Sequence, residues 1–125
     1  MRLRGRLLAG FAALGLFATG VAAHHSFVVL FDPSRTIEIA GIVTEFQFIA
    51  PHAYIRIEAT GENGDVERWE IETTSPGQLI REGLTPDVLR PGDAITAVGN
   101  PTRDGRRLLR LLTITLPSGE EKQIQ

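Results

Sequence analysis

"RTIEIAGIVTEFQFIAPHAYIRIEATGENGDVERWEIETT", residues 35–74, is the stretch whose reading decides the fold. Ile37 and Ile39 alternate with Thr36 and Glu38, Gly41 interrupts, and Val43, Phe46 and Phe48 continue on a shifted phase. Alternation of this kind marks a half-buried strand, because successive side chains of a strand point to opposite faces. A glycine inside such a pattern predicts a bulge or sharp coil, which lets one long strand bend around a barrel. "YIRIEA" (54–59) then alternates cleanly, with Ile55 and Ile57 on one face and Arg56 and Glu58 on the other. "GENGD" (61–65) is a turn, and "RWEIE" (68–72) sends Trp69 and Ile71 inward and Arg68, Glu70 and Glu72 outward. The stretch reads as a meander of three antiparallel strands.

After Thr74 the pattern changes. In "TSPGQLIREG" (74–83), Ser75 suits a helix N-cap, Pro76 the first helical position, Leu79 and Ile80 the apolar face, and Gly83 the end. "LTPDVLRPGD" (84–93) repeats that grammar on a smaller scale, from Thr85 and Pro86 to a turn at Pro91 and Gly92. Two strand runs follow, joined by "NPTRDG": "AITAVGN" (94–100), with Ile95 and Ala97 facing one way, and "RLLRLLTITL" (107–116), with Leu112, Ile114 and Leu116 facing one way. Three strands, a short helix and two strands make an all-β domain with one or two short helices, the order of a five-stranded OB-like barrel. An open β-sandwich is the alternative. The barrel is expected over residues 36–117, preceded by an arm at 24–35 and followed by a frayed polar tail at 118–125.

Residues 1–23 have the layout of a secretory signal. Arg2, Arg4 and Arg6 precede an apolar run from Leu7 to Phe17, and "VAA" offers small residues for cleavage after Ala23. The expected address is periplasmic or secreted, with no membrane span after cleavage. Residues 24–125 then carry ten basic against fifteen acidic side chains. That excess of acid argues against a nucleic-acid partner, whose binding rests on neutralising phosphates. There is no cysteine, so disulfides and thiolate metal ligation are excluded.

The three histidines, His24, His25 and His52, fall in just two segments. Cleavage after Ala23 makes His24 the first residue, so that its α-amine and ring can chelate one ion together. His52 would supply a third nitrogen, completing the T-shaped arrangement called a histidine brace. Tetragonal nitrogen sites favour Cu(II), which tops the divalent affinity series. His25 is either an alternative ligand or an outer group. Equally, two histidines after a signal can be a solvated start, and a histidine after proline can satisfy a turn. Asp32, Glu45, Glu70 and Glu72 are candidates for an oxygen ligand or for the acceptor of an imidazole N–H, against the plainer reading of solvated strand faces and, for Asp32, a turn. Tyr54 and Trp69 form a candidate ligand face, although Trp69 shares a strand face with Ile71 and reads first as the largest core plug. Arg103, Arg106, Arg107 and Arg110 are read as charges that protect a sheet edge, with a polyanion patch as the alternative. Phe27, Leu30 and Phe31 are expected to dock the arm on the barrel.

A signal ending in "AHHSF", then "FD", a "G-x-V" step, "PHAYIRI", "WEIETTSPGQLIREGL" and "LRPGDAITAVG" resemble, in their joint order, the DUF6152 family of small exported bacterial proteins, which has no assigned function. The resemblance implies a periplasmic address and a compact β-rich domain, and lends no enzymatic activity. It matches the family's paired histidines to His24 and His25 and the histidine of its "NPH" motif to His52, with Ala50 in place of the motif's asparagine. The functional expectation is a small binding protein holding copper for storage, delivery or sensing, without turnover. The alternative is a module that recognises an oligosaccharide, peptide or partner protein through the barrel face.

Overall fold

The computed structural model describes residues 29–125. Six strands and one helix lie wholly within the described residues, as β1 (Ile37–Gln47), β2 (Tyr54–Thr60), β3 (Val66–Glu72), α1 (Pro76–Arg81), β4 (Ala94–Pro101), β5 (Leu108–Thr115) and β6 (Glu121–Gln123). The sheet order is β3-β2-β1-β4-β5-β6, and a parallel pairing of β3 with β5 closes the first five strands into a barrel. This is the OB-like barrel expected from the sequence, and closure excludes the open sandwich.

β1 bends as its glycine predicts. Ile37–Ile42 pair with β4, and Ile42–Gln47 pair with β2. At the changeover a Cβ on Gly41 would lie 2.7 Å from the Glu58 carbonyl oxygen, so only glycine lets β1 cross β2 this closely. A bulge between Val43 and Glu45 completes the shift of phase.

Inward-facing Val43, Ile55, Ile57, Ile71, Ile95, Ala97, Leu109, Leu111 and Ile114 fill the barrel, and Leu79 and Leu84 join this core from α1 and the segment after it. The Ser75 side chain caps α1 by accepting from the Gln78 N–H, and Gly83, at φ 78°, ends it. Ile80, expected on the apolar face with Leu79, is 53% exposed. The six-residue helix turns only one narrow stripe inward, and Leu79 takes it. Residues 84–93 form turns and no second helix.

β5 carries a bulge that periodicity alone does not show. Val98 pairs with Thr113 and Gly99 with Leu111, leaving Leu112 as the extra residue. Leu109 and Leu111 therefore face the core before the bulge and Ile114 and Leu116 after it, while Leu112, expected to share their face, is 38% exposed. The tail is corrected too. β3 pairs with β5 only as far as Arg110, which leaves the later part of that edge open; β6 covers it at Thr113–Thr115, and Ile124 enters the core.

The described end of the arm docks on the barrel beside the β4–β5 hairpin. Phe31 is buried and bridges Thr102, the Asp32 N–H donates to the Pro101 carbonyl at 2.9 Å, and the Arg103 N–H donates to the Leu30 carbonyl at 3.0 Å.

Candidate functional site

His52 is the one histidine among the described residues; His24, His25 and Phe27 lie outside them. It stands in the β1–β2 connection, just after the cis Ala50–Pro51 peptide. Ala53 clamps the connection to the end of β3: its N–H donates to the Thr74 carbonyl at 3.0 Å, and its carbonyl accepts from the Thr73 N–H at 2.9 Å and the Thr73 hydroxyl at 2.8 Å. These bonds set the imidazole over Glu72. His52 Nδ1 lies 2.9 Å from Glu72 Oε1, with the imidazole 42% exposed and the carboxylate 11%.

An Nδ1–H that donates to a carboxylate fixes the tautomer and leaves Nε2 with a free lone pair. That is the orienting arrangement which metal-binding imidazoles use. Glu72, read among several acids from the sequence, is the one that accepts from His52. Glu45 and Glu70 are instead paired with Arg56, and Asp32 accepts from the backbone N–H and hydroxyl of Ser34 in a turn.

Why an outward-facing glutamate on β3 is buried becomes clear from the strand register. Gln47 pairs with Tyr54, Tyr54 with Glu72, Glu72 with Arg110, and Arg110 with Asn100. One polar row thus runs around the outside of the barrel from the His52 connection to β4. Within it Tyr54 stands opposite Glu72, and burial foremost, then the Glu72 and Glu70 charges, raise the pKa of its phenol. Arg110 donates to the Thr73 carbonyl, and burial lowers its pKa against the opposing pull of Glu72, Glu82 and Tyr54. At the far end the Asn100 amide donates to the Arg35 carbonyl at 2.7 Å, so the row ends on the arm.

Tyr54 and Trp69 do not come together as a face. Tyr54 pairs with outward Glu72, whereas Trp69 pairs with buried Ile57 and packs against the core. The arginines near the last hairpin do not form a free patch either. Arg103 is 3.7 Å from Asp32, Arg106 is 2.8 Å from Asp104, Arg107 is 3.2 Å from Glu67, and Arg110 belongs to the polar row. Sequence reasoning missed Arg110 as a partner of the site, because only the parallel β3–β5 closure puts it beside Glu72. Among the described residues no three His, Cys, Asp or Glu side chains are grouped to hold a metal ion, and no helix is long and apolar enough to cross a membrane.

The architecture defines a class first: a small β-barrel of OB type with a polar row on its outer wall. Residues 13–109 match the family described as "Family of unknown function (DUF6152)", and the chain belongs to that family. None of the curated proteins matches it in sequence. Among solved structures it is similar to the mitochondrial single-stranded DNA binding protein Rim1 of S. cerevisiae, at 15% identity and a TM-score of 0.50, covering 66% of this chain and 92% of that one. It is also similar to part of TiaS in its complex with a transfer RNA and ATP, at 20% identity and a TM-score of 0.49, covering 66% of this chain and 18% of that one. The chain thus spans about a fifth of the TiaS chain, and at these identities the likeness concerns the fold alone.

Proposed function

We propose that this protein is an exported copper-binding protein, working by coordination for storage, delivery or sensing, with Cu(II) held by the amine and ring of His24 and by Nε2 of His52. The observation that carries the reading is the His52–Glu72 pair: a half-exposed imidazole with its Nδ1 on a nearly buried carboxylate and its other nitrogen without a partner among the described residues. His25 serves as an alternative ligand.

The test is a Cu(II) titration of the chain beginning at His24, followed by calorimetry and by electron paramagnetic resonance. His52→Ala should bind at least tenfold more weakly and lose one nitrogen from the hyperfine pattern. Glu72→Gln should weaken binding about 10- to 100-fold, the usual range for a group that orients a ligand. Equal affinity for the parent and His52→Ala, or an exported chain beginning at any residue but His24, would overturn the reading.

A further inference from the structure

Among the described residues, the first half of β1 has a strand partner on one side only. Ile37–Ile42 pair with β4, while pairing to β2 starts at Ile42 and runs toward Gln47. Along Ile37–Gly41 the edge turned toward β2 therefore carries no strand among the described residues. Alternate residues of an antiparallel pair direct their N–H and C=O away from the partner. This leaves a free edge about 16 Å long.

That edge opens into a cleft of about 610 Å³ at the barrel mouth, lined on its other side by the end of β2, the turn at 61–65 and the start of β3. Ile37, Ile39 and Trp69, all partly buried against the core, form its floor. The exposed carboxylates of Glu38, Glu62 and Asp65 line its rim and make no ion pair among the described residues. The guanidinium of Arg107 is engaged by Glu67 at 3.2 Å, and the second Glu67 oxygen accepts from the Trp69 indole N–H at 3.0 Å. The uncompensated charge of the cleft is negative.

We propose that this cleft takes up an extended basic peptide, which adds to the free edge of β1 as a further strand. Edge addition draws affinity from main-chain hydrogen bonds and specificity from alternate side chains. Every second residue of such a strand would drop a small apolar group toward Ile39 and Trp69, and the residues between would set lysine or arginine against the acidic rim. The same rim repels phosphates. The cleft lies at the start of β3 and His52 at its end, so the proposal is independent of copper.

Trp69 is the only tryptophan of the chain, so its fluorescence reports on the cleft directly. The probes are a capped octapeptide alternating lysine and valine, its glutamate–valine counterpart, the lysine peptide N-methylated at alternate residues, and a ten-nucleotide oligothymidylate. The lysine peptide should give a saturable change in emission. Its affinity should fall at least tenfold on backbone methylation, and at least tenfold in the triple variant Glu38→Gln, Glu62→Gln, Asp65→Asn, whose circular dichroism should match the parent. The glutamate peptide and the oligonucleotide should leave the emission unchanged. Absence of saturable binding by the lysine peptide, unaltered affinity after methylation or neutralisation, or tighter binding of the oligonucleotide would each overturn the proposal.

Discussion

Gly99→Ala should be among the most damaging single-methyl changes this barrel can receive. An added Cβ would stand 1.9 Å from the Arg110 carbonyl oxygen and 2.9 Å from Leu109 Cγ, where ordinary contact begins at 3.4 Å. β4 and β5 must then part by roughly 1.5 Å at Gly99, which takes an adjoining ladder bond of about 2.9 Å beyond hydrogen-bonding range. Two such bonds at about 1 kcal/mol each, with about 1–3 kcal/mol for displacing a well-packed core, give a loss of about 3–5 kcal/mol. The residues displaced are Leu109 and Leu111, both fully buried. At about 4–8 °C per kcal/mol for a domain of this size, the midpoint of thermal unfolding should drop by at least about 12 °C. Arg110 would move with β5, so the support of Glu72 under His52 would loosen as well. Circular dichroism melts check the estimate. Gly77→Ala serves as the control of opposite sign, since a Cβ there meets nothing nearer than 3.8 Å and helix propensity favours alanine by up to about 1 kcal/mol. A Gly99→Ala midpoint within about 3 °C of the parent, an order-of-magnitude margin on the same scale, would refute the reasoning about close approach.

Two further perturbations test other joints of the fold. The Trp69 indole N–H, and after it Arg107, hold the Glu67 carboxyl below its ordinary value of 4.5. A depressed folded-state pKa contributes stability that is present above the unfolded value and lost as pH falls through the folded one. Unfolding midpoints measured from neutral pH downward should therefore decline below about pH 4.5, and Glu67→Gln should flatten that acid limb; identical limbs would contradict the assignment. Deleting residues 120–125 removes β6 and Ile124, which is 5% exposed. Burial of one isoleucine is worth about 1.5–3 kcal/mol, so the midpoint should fall by at least about 6 °C. A shortened chain as stable as the parent would return the tail to the frayed state its polarity suggests.

What could be read along the chain was whatever depends on neighbours in sequence. Alternation at Ile55 and Ile57 and at Trp69 and Ile71 placed β2 and β3, Ser75 and Pro76 opened α1, Gly83 closed it, and Gly41 marked the bend of β1. The order of these elements was enough to name an OB-like barrel. His52, and Glu72 as one of several acids able to accept from it, were also visible, because both are defined by their chemistry and by strand phase.

The remainder was decided by pairings between distant residues. The bulge that exposes Leu112 exists because β5 must match β4 around Gly99, and no local period records that demand. β6 forms because the β3–β5 pairing stops at Arg110 and leaves an open edge, so a polar tail becomes a strand. The same closure buries Glu72 beside Arg110 and Tyr54, and so makes one outward-facing acid the support of His52 while Glu45 and Glu70 pair with Arg56. Short-range propensity acts within a few residues and can be read from the chain itself. Register across strands is settled only when side chains far apart in sequence compete for one interior, and the candidate site lies where that competition closes the barrel.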